Sequence, residues 1–276
     1  MSGVKPLATF SVDRARVQVY ANRQEVGAAA AQRAAELINR AIEERGTARI
    51  IAATGNSQIP LVEHLVRQPI HWESVALFHM DEYVGIEESH PASFRNWIRK
   101  RLEEKVRPGK VFYLAGDAPD LASEIRRYSE LLLEAPIDVA FVGFGENGHI
   151  AFNDPPVADF DDPVIVKEVV LEESCRRQQA NEGHFPDVAS VPERAVTITC
   201  PGLFRAKSWV CCVPEQRKAE AVKNALEGPV GEACPASLVR LHPDASVFLD
   251  QESASLLSQI RERATVSLAS DPLAQA

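Results

Sequence analysis

Short apolar runs rich in β-branched residues recur along the chain with room for one helix between most of them. That alternation constrains the fold more than any other feature. ARVQVY (15–20), ARIIAA (48–53), SVALFHM (74–80), VFYL (111–114), IDVAFVGF (137–144), VIVKEVV (164–170), AVTITC (195–200), SWVCCVP (208–214) and ASVFLD (245–250) read as strands. Between them, residues 23–46 read as a helix capped by Asn22 and ended at Gly46, where a left-handed residue is easiest. Further helices are expected in IPLVEHLVR, SFRNWIRKRLEEKV, LASEIRRYSELLLEA and QRKAEAVKNALEG, and in the C-terminal ESASLLSQIRERATVSL.

This order predicts an α/β fold: one mostly parallel sheet with helices on both faces, formed by residues 1–276 as a single domain. Such sheets bind ligands beyond the C-terminal ends of their strands, so the loops that follow strands are where function is sought. NDPPVADFDDP (153–163) is expected to be an irregular insertion or mobile flap, and the tail ASDPLAQA to be disordered. No stretch approaches the roughly 20 apolar residues of a membrane span, and the N-terminus lacks the apolar core of a secretory signal. A cytoplasmic protein without membrane contact is the expectation. The five cysteines form no C-x-x-C pair and read as free core thiols, not as ligands. A net charge of −9 without a basic run speaks against nucleic-acid binding.

The loop VGFGENGHIAFNDPP (142–156) satisfies G-x-G-x-x-G. A dinucleotide site, however, needs the third glycine to open a helix under the pyrophosphate. Here Asp154-Pro155-Pro156 follow too soon for a helix, so a nucleotide cofactor is rejected. What remains is a glycine-rich loop that offers Glu146, Asn147, His149, Asn153 and Asp154 within nine residues. The plain alternative is a turn whose histidine only satisfies local backbone.

Three further loops matter. In ALFHMDEYVG, strand alternation would set His79, Asp81 and Tyr83 on one face and Glu82 on the other. Adjacent carboxylates repel when ionised, which is the pKa tuning that proton-transfer sites use. A solvated acidic turn is the alternative, and a metal site of His79, Asp81 and His149 ranks below both. After ARIIAA, the residues Thr54, Gly55, Asn56, Ser57 and Gln58 could admit an anion to backbone N–H groups, or form a tight capped turn. Lys218 falls in the first turn of a helix, where a cation opposes the dipole unless an anion is near.

Together, ATGNSQIPL, HMDEYVG, SHPASF, GFGENGHIAFNDP, VPERAVTIT and RLHPDASVFLD resemble the glucosamine-6-phosphate deaminase (isomerase) family. That family shares its fold with the 6-phosphogluconolactonases, and HIAFN sides with the deaminases. The resemblance implies ring opening and aldose-to-ketose isomerisation of a phosphorylated amino sugar, with loss of ammonia and no metal or organic cofactor. It implies that Asp81 is the base moving a proton between carbons 1 and 2. His149 is the ring-opening group, with Asn147 and Asp154 as the neighbours that orient it. Gly55, Ser57 and Lys218 match the phosphate site. The candidate substrate-binding residues are therefore Thr54, Gly55, Asn56, Ser57, Glu82, Gly145 and Lys218.

Several positions depart from the pattern. Asp154 stands where Glu is usual, and Asn147 where many members have Asp. The family's phosphate-binding arginine falls on Gly183 or His184, with Arg176 or Arg177 as the candidate substitutes. The basic loop of the allosteric members is replaced by VADFDDPVIVKEV, so no activation by N-acetylglucosamine 6-phosphate is expected. The alternatives are an isomerase or lactonase for another sugar phosphate and a non-catalytic sugar-phosphate sensor. The sensor is disfavoured by the short segment before the first helix. Oligomeric state is open, a homo-oligomer being compatible with the sequence.

Overall fold

The apolar runs become strands close to their expected limits. In the computed structural model, which describes residues 4–183 and 185–260, the strands are β1 (Ala8–Val12), β2 (Ala15–Tyr20), β3 (Ala48–Ala52), β4 (Val75–His79), β5 (Asp81–Tyr83), β6 (Lys110–Phe112), β7 (Val139–Val142), β8 (Val166–Val170), β9 (Arg194–Ile198), β10 (Ser208–Val213) and β11 (Ala245–Asp250). The helices are α1 (Arg23–Arg45), α2 (Ile59–Leu65), α3 (Phe94–Ile98), α4 (Glu104–Val106), α5 (Leu121–Leu133), α6 (Glu173–Asn181), α7 (Cys200–Phe204) and α8 (Ala219–Glu227). A π-helical stretch, Arg99–Glu103, joins α3 to α4.

Eight strands form one sheet in the order β1-β2-β11-β10-β7-β3-β4-β6. Every pairing in it is parallel except β1 with β2. Its two faces feed separate apolar clusters. One holds Ile38, Ile50 and Leu61 under α1 and α2, and the other holds Ile51, Phe78, Tyr128 and Val222 under α5 and α8. That is the pattern of a sheet covered on both sides. Each fully buried isoleucine or leucine contributes about 1.5–3 kcal/mol. The side chain of Asn22 accepts the N–H groups of Gln24 and Glu25, and Gly46 ends α1 at φ 76°, as the capping residues predicted.

Two parts of the sequence reading are corrected. VIVKEVV and AVTITC do not join the main sheet; β8 and β9 form a small antiparallel sheet with β5, in the order β5-β9-β8. β8 buries Val166 and Val169 and exposes Glu168 and Val170, so it is partly open to solvent, which a central parallel strand is not. The C-terminal helix does not begin at Glu252. Residues 251–256 are turns and helical geometry appears only at 258–260; the rest of that segment and the tail lie outside the described residues. The 153–163 segment is irregular as expected, but it is pinned. Asp154 O accepts from the N–H groups of Val157 and Ala158, and Lys167 Nζ bonds Val157 O and Asp162.

Candidate active site

Parallel order reverses between β3 and β7. From β3 the chain moves outward to β4 and β6; from β7 it moves the other way, to β10 and β11. A crevice must open where the two connections diverge, beyond the C-terminal strand ends. There a cleft is lined by Thr54, Gly55, Asn56 and Ser57 after β3, by Asp81 after β4, and by Gly143, Gly145 and His149 after β7. Lys218, which follows β10, completes it together with Phe94, Phe152, Gln178, Gln179 and Glu182. Asp81 and His149, 68 positions apart by their numbers, thus face one space. A larger hollow between α2 and α3, lined by Trp97, Lys100 and Arg101 among others, brings together no carboxylate–imidazole pair.

The histidine loop is built to fix one ring orientation. The Asn147 Nδ2 group sits between two carboxylates, donating to Asp154 Oδ1 (2.9 Å) and Glu172 Oε2 (3.2 Å). Its Oδ1 must then turn to His149, where it accepts from the backbone N–H (3.1 Å) and meets Nδ1 at 2.7 Å. Nδ1 also lies 3.0 Å from Asp154 Oδ1. With two acceptors on it, Nδ1 carries the proton and Nε2 is the basic nitrogen. Burial works against the Asp154 charge, yet His149 and Asn147 outweigh it and hold the carboxyl below the usual range. Asn147 is the residue type this arrangement needs, since a third carboxylate there would face two others.

Gly145 lets the ring lie against the backbone. A Cβ on it would fall 2.2 Å from His149 Cε1, well inside contact distance. Gly145→Ala is expected to keep the fold and lower kcat about ten- to a hundredfold by moving the ring, which steady-state kinetics beside a circular dichroism spectrum would check. Ala151, two residues after the histidine and lining the cleft, holds φ 50°, a conformation non-glycine residues adopt at a cost.

Asp81 sits where the chain leaves the main sheet. The expected alternation through His79, Asp81 and Tyr83 breaks at Met80, because β4 ends at His79 and β5 belongs to the small sheet. His79 is therefore not a partner of Asp81 in the cleft. Its Nε2 accepts from the Leu114 N–H (2.9 Å), so Nδ1 donates to the Asp81 carbonyl (2.9 Å), and burial pushes its pKa down to about 4. This buried, neutral ring fixes the backbone of Asp81, and the metal arrangement with His79 is not formed. Burial, and then the Glu82 charge, raise the Asp81 carboxyl well above the usual range.

Glu82 is absent from the cleft lining. It is wholly buried behind Asp81 and accepts from Tyr83 N, Ser93 Oγ, Phe94 N, Arg95 N and Arg95 Nε. Its expected substrate contact is replaced by a structural role, closing the 84–93 loop onto the start of α3. Arg176 donates to Val188 O and Val191 O, and Arg177 pairs with Glu173; neither lines the cleft. Gly183 is exposed, and His184 lies outside the described residues.

Lys218 is 2% exposed, and burial together with the Arg217 charge lowers its pKa. Glu215, three residues before it, sits at φ 87° with its N–H on Asp250, and the turn brings Lys218 to the cleft wall. Sequence reading missed α6, which supplies Gln178 and Gln179 and is followed by its C-cap, Glu182. Gln179 Oε1 accepts from Tyr83 OH (2.8 Å), and Asn56 Nδ2 donates to Glu182 O (3.3 Å). The paired glutamines in an otherwise charged stretch were the available signal.

All five cysteines are buried and free, as expected. Donor atoms of His149, Asp154 and Cys175 lie within 4.8 Å of one another, a set suited to a soft divalent ion. In the structure Asp154 instead faces the Nδ1 proton of His149 and the protonated thiol, whose pKa is raised by burial and then by Asp154.

The model of the glucosamine-6-phosphate isomerases/6-phosphogluconolactonase family matches residues 21–248. The chain belongs to that family. A glucosamine-6-phosphate deaminase from Listeria monocytogenes serovar 1/2a is 36% identical over 229 residues, 83% of this chain and 96% of that one. The same-named protein of Lactobacillus delbrueckii subsp. bulgaricus is 34% identical over 243 residues, covering 88% and 99%. A solved monomeric glucosamine-6-phosphate deaminase superposes with a TM-score of 0.79 at 32% identity, over 87% of this chain and 99% of that one. 6-Phosphogluconolactonase from Trypanosoma brucei, at 18% identity and a TM-score of 0.73 over 88% and 98%, shares the family's fold. No helix among the described residues is long and apolar enough to cross a membrane.

Proposed function

We propose that this family member converts glucosamine 6-phosphate and water to fructose 6-phosphate and ammonia. The observation that carries the reading is one cleft that holds the buried Asp81 carboxyl, the His149 imidazole held through Nδ1 by Asn147 and Asp154, and a buried lysine beside a glycine-containing loop. His149 Nε2 takes the anomeric hydroxyl proton and returns it to the ring oxygen, so the C1–O5 bond breaks as the aldehyde forms. Asp81 then removes the C2 proton while O1 is protonated, giving an enol-amine, and delivers a proton to C1. The resulting C2 imine is hydrolysed by water, which releases ammonia and leaves the ketone. The reaction sequence breaks the C1–O5 and C2–N bonds, takes up one water and otherwise moves protons, so it consumes no oxidant.

Lys218 and the hydroxyl of Ser57 take the phosphate, with Thr54, Gly55 and Asn56 shaping the approach. Gly55 holds φ 97°, open to glycine and strained for other residues. Asn147 and Asp154 act through His149 as positioning residues. The test is stoichiometry: wild-type protein should form one ammonia per fructose 6-phosphate from glucosamine 6-phosphate. Hydrolysis of a 6-phosphosugar lactone without ammonia release would instead favour the lactonase reading.

A further inference from the structure

The Lys218 end of the cleft already contains a carboxylate, and a second cation holds it. Glu182 lines the cleft with Lys218, its side chain is 8% exposed, and its Oε1 accepts from Arg217 Nη1 at 2.6 Å and from Gln178 Nε2 at 2.8 Å. Arg217 Nη1 also reaches Glu146 Oε1 at 3.2 Å, while Nε stays on Glu215 Oε2 at 2.7 Å. One guanidinium is therefore surrounded by three carboxylates. One of these projects into the space that an anionic substrate group must enter.

We infer that Arg217 is a second ligand for the anionic group of the substrate, and that Glu182 is a resident stand-in which this group displaces. The inference rests on the phosphorylated-substrate reading. A carboxylate and a phosphate offer a guanidinium the same pair of acceptor oxygens, so one can exchange for the other without moving the arginine. The Nε–Glu215 bond keeps Arg217 oriented during the exchange. The Glu182 carbonyl is held by Asn56, so only the Glu182 side chain has to swing outward. Left in place, that carboxylate would repel the incoming dianion, and its departure lets Arg217 and Lys218 close on the phosphate together. The phosphate cation that the sequence pattern lacks near Gly183 is then supplied from the residue preceding Lys218.

The competing explanation is that the Glu182–Arg217 pair only ties α6 over the cleft, and the two explanations differ in sign. If the pair is a tether, Arg217→Gln and Glu182→Gln break the same contact and shift KM for glucosamine 6-phosphate the same way. If Arg217 is the ligand and Glu182 its occupant, the shifts oppose. Arg217→Gln should raise KM about tenfold or more with kcat little changed, the loss of one charge-assisted contact. Glu182→Gln should lower KM. Calorimetric Kd values for inorganic phosphate should follow the same order: Glu182→Gln tightest, wild type between, Arg217→Gln weakest. Same-direction shifts, or no shift in either variant, would overturn the inference. A wild-type protein that releases no ammonia would overturn the functional reading alone, because the phosphate titrations still report on Arg217.

Discussion

Asp81→Asn should lower kcat for ammonia release by about a thousandfold, within the 10²–10⁴ range of general base catalysis, with KM changed little. The substitution keeps the size, exchanges one acceptor oxygen for an NH2 donor, and removes the ability to take the C2 proton. Its effect on stability should run the other way. The folded-state pKa of Asp81 is raised above the unfolded value by burial and then by Glu82, so at neutral pH the ionised side chain works against folding. Replacing it by the neutral amide relieves that penalty, and the relief fades at low pH, where the acid is protonated in both states. A thermal melt at pH 7 should therefore place Asp81→Asn no lower than wild type. In the wild type, kcat/KM should fall as pH drops through a value above the ordinary carboxylate range, because only the ionised form accepts the proton. Activity in Asp81→Asn equal to wild type would show that the base lies elsewhere.

Glu82→Ala should be the most destabilising single change in this region, by about 3–5 kcal/mol, the cost of stripping one partner from a buried charged pair. The carboxylate is wholly buried and carries five hydrogen bonds. Its loss leaves the Arg95 guanidinium, 5% exposed, with Asp117 and the Ile86 carbonyl as its remaining partners. For a chain of this length that corresponds to a fall in melting temperature on the order of 10 °C, measurable by scanning calorimetry. The loop from Val84 to Ser93 sets Phe94, the first residue of α3, into the cleft wall, so turnover should fall with stability. A variant that melts with the wild type would refute the structural role assigned to Glu82.

What the sequence reveals and what it hides divide along physical lines. His149 and Asp81 are legible because strand-end loops collect polar groups that a packed core rejects, and because the glycine loop lacks the helix a dinucleotide needs. Glu82 is misread because alternation holds only inside one strand, and the chain changes sheets at Met80. α6 is hidden because the face it buries is mostly polar: beside Cys175, Gln178 and Gln179 cover a cleft, where apolar periodicity has no reason to appear. Arg217 is unreadable for a different reason. Whether a basic residue beside Lys218 is solvated or turned inward depends on the Glu215 turn and on Glu182, which lies 35 positions away. The same blindness covers the Asn147 amide, whose direction is set by Asp154 and Glu172 together.

The most direct test is the structure of the Asp81→Asn variant with glucosamine 6-phosphate bound. The account predicts the phosphate within hydrogen-bond reach of Lys218 and Ser57, the C1–C2 edge against residue 81, and the ring oxygen toward His149 Nε2. A sugar phosphate bound with the opposite polarity, or seated between α2 and α3 with the cleft after β3 and β7 unoccupied, would contradict it.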